Sequence, residues 1–311
     1  MRAVLVPDFG VQNLQVRDCP DPVPAAGEVL VATEAATINP ADVSVVTGRA
    51  ASRIPPGAAR PYTPGWDLAG AVVACADGAD PALAGARVVG FSAWFVTGHG
   101  TQASMVALPA DDVVPAPPGL PSTQLATVGL NGLTAWRGLD ELHLAAGESI
   151  VITGAAGGVG GFAAALAASR GLTVIAAVRS KDRDDALALG ATVAVSTDGG
   201  DLGAAVREVL PTGADALLDT ASMAAAALGA VRDGGRYVTV TSVPQPERGI
   251  TVTRVSARMD RDGLTTLMDM ASTGRLHTPV AQVFELDEAR AAYEAFSHPH
   301  GRGRIVLSVS R

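Results

Sequence analysis

The sequence predicts an α/β protein in which a β-rich N-terminal domain precedes a doubly wound parallel sheet. Three observations support this. A glycine-rich turn at Ile150–Gly161 stands between an apolar segment and a helical segment. From residue 149 onwards, strand-like and helix-like segments alternate, whereas the first 122 residues contain β-branched runs with little helix. The 311 residues are enough for two domains with a sizeable core.

The N-terminal 122 residues predict a partly open β-barrel. Their β-branched runs are separated by clusters of Gly, Pro and Asp, and the helical piece Pro40–Thr47 begins with proline in its first turn. Prolines crowd again between Pro115 and Pro121, which marks a domain boundary near residue 122. The predicted strands are Arg2–Val6, Val29–Thr37, Leu68–Ala76, Ala86–Phe91 and Ala103–Leu108.

The remaining residues predict a parallel sheet with helices on both faces. Ser122 is a candidate N-cap for the helical stretch Gln124–Leu144, which is broken near Gly129. A helix, a strand, a helix and a final strand follow the sheet from about residue 260. The strands and helices that alternate before them are Ser149–Thr153, Val159–Ser169, Thr173–Val178, Asp182–Leu189, Thr192–Ser196, Leu202–Val209, Ala216–Asp219, Met223–Val231, Arg236–Thr241 and Ile250–Val255.

The glycine turn is a candidate phosphate site. Ser149–Thr153 is apolar without alternation, as in a buried parallel strand, and glycines follow it at a spacing of three before a helix. This arrangement directs a helix N-terminus and bare backbone N–H groups at a phosphate. A tight strand-to-helix connection without a ligand is the alternative. The candidate cofactor residues here are Gly154, Ala155, Gly157, Gly158, Val159 and Gly160.

A basic loop follows the second strand, about twenty residues beyond the glycines, where a dinucleotide fold contacts the adenosine ribose. An NAD site usually carries Asp or Glu there, whereas positive charge and a hydroxyl suit the 2′-phosphate of NADPH. A solvated basic loop is the alternative, and Asp182, Asp184 and Asp185 weaken its field. The candidate 2′-phosphate residues are Arg179, Ser180, Lys181 and Arg183.

Two other nucleotide folds are excluded by residues that the chain lacks. Short-chain dehydrogenases share a similar glycine turn but need a Tyr-x-x-x-Lys pair, and here Trp66, Thr241 and Ser297 stand four positions after the three tyrosines. A P-loop needs Gly-Lys-Ser/Thr after its glycines, and none follows.

Composition restricts the partners and the compartment. A formal net charge of −8 argues against nucleic acid as the main partner. The sequence contains no run of eighteen apolar residues, so no membrane span is expected. The N-terminus does not read as a signal peptide. Cys19 and Cys75 are too far apart for a Cys-x-x-Cys site, so a reduced, cytoplasmic compartment is expected.

Several motifs along the whole chain resemble those of the medium-chain dehydrogenase/reductase superfamily. They are Gly27–Val31, Asn39–Asp42, Pro64–Gly70, Gly132–Trp136, the glycine turn and Gly301–Leu307. The resemblance implies a GroES-like β-barrel catalytic domain formed by residues 1–122 and 258–311, with a Rossmann domain at 123–257. It also implies a homodimer that acts on a small-molecule substrate.

The chain lacks the zinc ligands of the superfamily's alcohol dehydrogenases. Asn39 stands near the position of their catalytic Cys, and Gly65-Trp66-Asp67 replaces their Gly-His-Glu. The cluster of four Cys is also missing, and tetrahedral zinc needs three or four N or S ligands. The chain therefore resembles the zinc-free branch that contains quinone oxidoreductases and enoyl reductases.

This resemblance implies that NADPH delivers hydride to a quinone or an α,β-unsaturated carbonyl. Asn39 is the candidate donor to the developing oxyanion, and a loop amide bonded to its own backbone is its alternative role. Further cofactor candidates are Asn39 itself, Thr134, Thr220, Val240, Thr241, Ser242 and Arg302. The candidate substrate walls, which could instead be core, are Tyr62, Trp94 and Phe95.

Two other functions remain open at this stage. One is an accessory enoyl reductase that acts on carrier-bound acyl chains. The other is an NADPH-binding protein with little catalysis, since the tyrosine that many relatives carry after the Asn-x-x-Asp element is absent and Val45, Val46 and Thr47 stand there.

Overall fold

The computed structural model describes residues 1–54, 60–94, 100–298 and 301–309. Its internal contacts divide the chain into two compact units. The first contains Met1–Leu130, Met259–Thr273 and Thr278–Arg311, and the second contains Asn131–Arg258 and Gly274–His277. The first unit is therefore assembled from both ends of the chain.

The strands and helices alternate strongly only in the second half of the chain. In chain order the strands are β1 (Arg2–Leu5), β2 (Gln15–Asp18), β3 (Glu28–Ile38), β4 (Asp67–Cys75), β5 (Arg87–Phe91), β6 (Met105–Pro109), β7 (Val113–Pro115), β8 (Ser149–Thr153), β9 (Thr173–Val178), β10 (Val193–Ser196), β11 (Ala214–Asp219), β12 (Val231–Thr239), β13 (Thr251–Arg254), β14 (Val280–Glu285) and β15 (Arg304–Ser308). The α-helices are α1 (Pro40–Val46), α2 (Ser122–Leu125), α3 (Gly129–Leu142), α4 (Gly158–Ser169), α5 (Arg183–Ala188), α6 (Leu202–Val209), α7 (Arg261–Ser272) and α8 (Ala289–Phe296).

The first unit is built around the long strand β3. Its main sheet has the order β14-β15-β3-β4-β5-β7, and β6 also pairs with β3. All pairs are antiparallel except β14 with β15. Register shifts along β3 and β4 bend these strands, as irregular pairing does at barrel rims. The core beneath the bend is filled by Val29, Val31, Leu68, Val72, Val88, Val106, Leu108 and Val113.

The second unit is a parallel sheet with the order β10-β9-β8-β11-β12-β13. This is the strand order of a dinucleotide-binding sheet, in which the direction of winding reverses between the first and fourth strands of the unit. Here the reversal falls between β8 and β11. All five residues of β8 are buried, as its unbroken apolar sequence predicts. The predicted doubly wound sheet is therefore confirmed.

Two local predictions are wrong. The segment predicted as the helix Met223–Val231 forms the 3₁₀ helix Ala224–Ala230. Its first residue, Ala224, has a φ of 49°, which lies outside the α-helical region. Ser122 does not cap α2 but is its first residue, and its hydroxyl donates to the Glu34 carboxylate. Among the described helices, none has the length and apolar character needed to cross a bilayer.

Candidate functional site

The carboxyl ends of three neighbouring strands in the second unit lie in one row. Thr153 at the end of β8 is opposite Asp219 of β11, and Asp219 is opposite Thr239 of β12. The loops that follow therefore emerge side by side at the point where the winding direction reverses, which is where such sheets bind ligands. The predicted cofactor residues that follow β8, β9, β11 and β12 directly are Gly154, Ala155, Gly157, Gly158, Val159, Gly160, Arg179, Ser180, Lys181, Thr220, Val240, Thr241 and Ser242.

The glycine turn leads from β8 into α4 with a geometry that suits a phosphate. Gly154 has a φ of 63° and its N–H donates to the Ala177 carbonyl, which extends the β8–β9 ladder by one bond. Gly157 then caps α4, and its N–H donates to the Gly154 carbonyl at 2.8 Å. A Cβ on Gly160 would lie 2.2 Å from the Gly154 carbonyl oxygen, so only glycine permits this close approach. The first N–H groups of α4 thus face outwards from a tight turn that fits a pyrophosphate.

A buried carboxylate fixes the loop after β11. Asp219 is 0 % exposed, and its two oxygens accept hydrogen bonds from five donors among the described residues. Oδ1 accepts from the Thr153 hydroxyl at 2.6 Å and from the N–H groups of Ala221 and Met223. Oδ2 accepts from the Ala224 N–H and the Tyr237 hydroxyl, each at 2.9 Å. Burial and this bond to Asp219 raise the pKa of Tyr237, so its hydroxyl keeps its proton.

The same loop is joined to the end of β8. The Thr220 hydroxyl donates to the Thr153 carbonyl at 2.6 Å, and the Thr220 N–H donates to the Thr153 hydroxyl at 2.9 Å. Ser222 and Ala224 have φ values of 60° and 49°, which non-glycine residues rarely adopt. Such strain persists only where neighbouring contacts over-determine the backbone, and here the hydrogen bonds of Asp219 do so.

The basic loop after β9 is partly neutralised by acidic neighbours. The Arg179 guanidinium donates to the Asp182 carboxylate at 2.7 Å, although 63 % of the arginine side chain remains exposed. The Ser180 N–H donates to Asp198 at 2.7 Å, and the backbone and side-chain bonds from Ser180 lower the pKa of Asp198. Lys181 is exposed. The Arg183 guanidinium donates instead to the Ala194 carbonyl at 2.7 Å, so it is held along β10.

The other predicted cofactor residues are spread over both units. In the second unit, the Val240 N–H donates to the Asp219 carbonyl, the Thr241 N–H donates to the Thr239 hydroxyl, and Ser242 is exposed. Thr134 is buried on α3. Arg302 is exposed in the first unit.

Asn39 belongs to a buried polar cluster in the first unit. Its side-chain Nδ2 donates to the Asp67 carboxylate at 3.2 Å, and its backbone N–H donates to Asp42 at 2.8 Å. Asp42 also accepts from the Gly65 N–H, and Asp67 accepts from the Leu130 N–H at the start of α3. Asn39, Asp42 and Asp67 are each 0 % exposed. These contacts favour a structural role for the Asn39 amide, which donates to Asp67 and also takes part in a capping box with Asp42 at the start of α1.

Burial changes the ionisation of this cluster. It raises the pKa of Asp67 to about 7, against the hydrogen bond from Leu130 and the charge of Arg304. It lowers the pKa of Arg304 to about 10, against the charge of Asp67. Burial also raises the pKa values of Asp42 and of Tyr293, whose hydroxyl donates to the Gln102 side chain at 2.9 Å.

The sequence alone does not indicate that Asp67, Arg304 and Tyr293 belong to one buried cluster. They come from β4, β15 and α8, which are distant along the chain. No local signal connects them, because Asp67 precedes the predicted strand Leu68–Ala76, whereas Tyr293 and Arg304 stand in separate segments near the C-terminus.

The predicted substrate walls lie mainly in the core of the first unit. Trp94 is 0 % exposed, and its ring packs edge-on against Trp66 with centroids 6.2 Å apart. Tyr62 is 8 % exposed, and Arg60 lies over its ring with its guanidinium carbon 5.1 Å from the centroid. Phe95 lies outside the described residues. For Tyr62 and Trp94 these contacts favour the alternative in which the rings belong to the core.

Comparisons with known proteins agree with both halves of this architecture. The alcohol dehydrogenase GroES-like domain matches residues 25–118, and the zinc-binding dehydrogenase family matches residues 189–307. Mouse quinone oxidoreductase is 37 % identical over 187 residues, which cover 58 % of this chain and 54 % of that protein. Bovine prostaglandin reductase-3 is 29 % identical over 240 residues, which cover 76 % and 61 %. The matches thus span little more than half the length of these curated relatives.

A solved structure described as an NAD-dependent alcohol dehydrogenase has a TM-score of 0.87 and 28 % identity, with all of both chains covered. A bent antiparallel sheet together with a dinucleotide-binding sheet and its glycine turn defines a two-domain oxidoreductase architecture. The chain belongs to the medium-chain dehydrogenase/reductase superfamily, with a GroES-like domain and a Rossmann domain. The predicted resemblance to its quinone oxidoreductases is confirmed.

The second family is named for zinc, which binds only where enough ligand atoms converge. Tetrahedral sites require three or four N, S or carboxylate ligands close together. In the described parts of the chain, no group of three or more His, Cys, Asp or Glu residues is placed to hold a metal ion.

Proposed function

We propose that the protein is an NADPH-dependent oxidoreductase that reduces a quinone or an α,β-unsaturated carbonyl without a metal ion. The observation that carries this proposal is the glycine turn at the carboxyl end of β8, beside the aligned ends of β11 and β12. The first N–H groups of α4 bind the pyrophosphate, and the loop that starts at Thr220 lies on the nicotinamide side. When bound, the cofactor supplies a hydride.

The substrate class is supported by relatives named for quinone and prostaglandin reduction. The hydride goes to the electrophilic carbon or to the quinone, and solvent supplies the proton that completes the reduction. The test is a panel of quinones, enones and acyl thioesters, each assayed with NADPH and with NADH by nicotinamide absorbance. Turnover of quinones or enones is expected. Turnover of acyl thioesters alone would support the accessory enoyl reductase, and tight NADPH binding without turnover would support a binding protein.

The choice of NADPH over NADH depends on the basic loop after β9. Arg179→Ala removes an exposed guanidinium that can reach a 2′-phosphate, and charge-assisted hydrogen bonds of this kind contribute about 1.5–3 kcal/mol. We therefore expect NADPH affinity to fall about 10- to 100-fold while NADH affinity changes less than about twofold. Isothermal titration of both cofactors measures this. Equal losses for both would remove the 2′-phosphate argument.

Two companion variants sharpen this test. Asp182→Asn removes the carboxylate that pairs with Arg179, so NADPH affinity should rise by the modest amount that an exposed ion pair contributes, about 0.2–1 kcal/mol. Arg170→Ala is the matched control, because Arg170 also forms an exposed pair with an aspartate, Asp140, at 2.7 Å in the same unit. It should leave the ratio of the two affinities unchanged. The homodimer and the cytoplasmic location stay predictions, and light scattering of the purified protein tests the first.

A further inference from the structure

We propose that Asp219 is a positioning residue that holds the loop 220–224 in the shape required by the nicotinamide half of the cofactor. This inference rests on the proposed function, because it assumes that a dinucleotide binds at the ends of β8, β11 and β12. It adds a residue that would not touch the cofactor itself. Asp219 is fully buried and acts through the backbone that follows it.

The hydrogen bonds of Asp219 join three separate segments of the second unit. Its partners are Thr153 at the end of β8, Tyr237 within β12, and the N–H groups of Ala221, Met223 and Ala224 in its own loop. A carboxylate has about four lone-pair positions and only accepts, so five donors saturate it. One buried side chain therefore sets the conformation of the loop and ties it to the strand that precedes the glycine turn.

The loop needs this restraint because its backbone is strained. Ser222 and Ala224 both have positive φ values although neither is glycine. The Ala224 N–H donates to Asp219 directly, and those of Ala221 and Met223, on either side of Ser222, do the same. Without the acceptors, Ser222 and Ala224 would relax to negative φ and carry Thr220 and Ala221 away from the glycine turn. In the structure, side-chain atoms of Thr220 and Ala221 lie 3.2–3.3 Å from the position that a Cβ on Gly154 would take.

Asparagine cannot replace this aspartate. Both carboxylate oxygens accept, so either orientation of an amide would direct its NH₂ group at N–H or O–H donors. Asp219→Asn, although of the same size, should therefore release the loop. The glycine turn should remain, because its first bond runs from Gly154 to Ala177 on the opposite side of β8.

The expected defect is confined to one half of the cofactor. In a doubly wound sheet the two mononucleotide halves bind on opposite sides of the reversal point, so the adenosine half lies over β9 and the nicotinamide half over β11 and β12. Loss of the Asp219 contacts should weaken NADPH but spare 2′,5′-ADP, which represents the adenosine half alone. A purely structural role would not separate these two ligands.

The experiment measures NADPH and 2′,5′-ADP binding by isothermal titration on wild-type protein, Asp219→Asn and Asp215→Asn, at a temperature where all are folded by circular dichroism. Asp215 is the matched control, because it lies on the same strand at the opposite end and accepts from Ser149 and Arg232. We expect Asp219→Asn to weaken NADPH at least tenfold and 2′,5′-ADP less than twofold, with neither affinity changed in Asp215→Asn.

Thr153→Val gives a second route if Asp219→Asn does not fold. It removes the hydroxyl that donates to Asp219 and accepts from the N–H groups of Thr220 and Ala221, and it should show the same selective loss. Unchanged NADPH affinity, or equal loss of both ligands, would overturn the inference while the proposed function stands. A wild-type protein that binds neither ligand would instead overturn the proposed function.

Discussion

Gly160→Ala tests whether the close approach of α4 to the end of β8 is as tight as the structure shows. The added Cβ would lie 2.2 Å from the oxygen and 2.7 Å from the carbon of the Gly154 carbonyl, and both are backbone atoms that no rotamer change can move. Overpacking of this kind costs about 1–3 kcal/mol, and we expect the upper end. Loss of the Gly157-to-Gly154 hydrogen bond adds about 1 kcal/mol, and the better helix propensity of alanine returns up to about 1 kcal/mol.

The net expectation is a loss of about 2–3 kcal/mol in the free energy of unfolding, measured by urea denaturation with circular dichroism. NADPH binding should weaken at least about tenfold, because the first turn of α4 moves with the clash. Gly161→Ala is the neighbouring control, since its Cβ would meet the flexible end of Leu189 at 3.2 Å and the Ala155 carbonyl oxygen at 3.5 Å, an ordinary van der Waals contact. It should change stability by less than about 1 kcal/mol. Two variants of equal stability and equal NADPH affinity would refute the reasoning.

Two further variants test the first unit. Burial raises the pKa of Asp67 from 3.8 to about 7. Between about pH 4 and pH 7 the folded state therefore keeps a proton that the unfolded state has lost, so the free energy of unfolding falls as the pH rises through this window. Asp67→Asn should remove this part of the pH dependence of the free energy of unfolding, which is at most about 4 kcal/mol, in urea titrations across that range. An unchanged pH dependence would contradict the assignment. Trp94→Ala should lower the free energy of unfolding by about 3–5 kcal/mol, because the ring is fully buried. A loss below about 1 kcal/mol would instead favour the assignment of Trp94 to the wall of the substrate site.

The parallel sheet was the most predictable part of the chain. The bounds of β8, β9 and α6 agree with the sequence prediction residue for residue, because a buried strand has an unbroken apolar run and a helix has a 3.6-residue period. The short strands β2 and β7 were missed, since three or four residues carry too little pattern.

The contacts around the site could be predicted only in part. The glycine spacing located the phosphate turn, since that signal is local. The first half of β12 contains Asp233, Gly234 and Gly235, which read as a turn. Val231 pairs with Ala214 of β11 before them, and regular pairing with β11 resumes at Arg236 after a shift in register. Asp219 looked like an ordinary strand end, because its partners come from segments 66 and 18 residues away. Side-chain networks of this kind depend on tertiary neighbours that no sequence window contains.

The first unit is formed by segments that are far apart along the chain, and this determines the order in which the chain can fold during synthesis. Its longest strand, β3, pairs with β15, which is among the last described residues to leave the ribosome. Until then residues 35–38 of β3 have no partner on the edge that β15 occupies, and the Asp67 carboxylate lacks the nearby charge of Arg304. The second unit is almost continuous and complete after about 277 residues, so it can close first. An N-terminal fragment that ends at residue 122 would lack β14, β15 and the Leu130 N–H, and would not reproduce the domain from which it was cut.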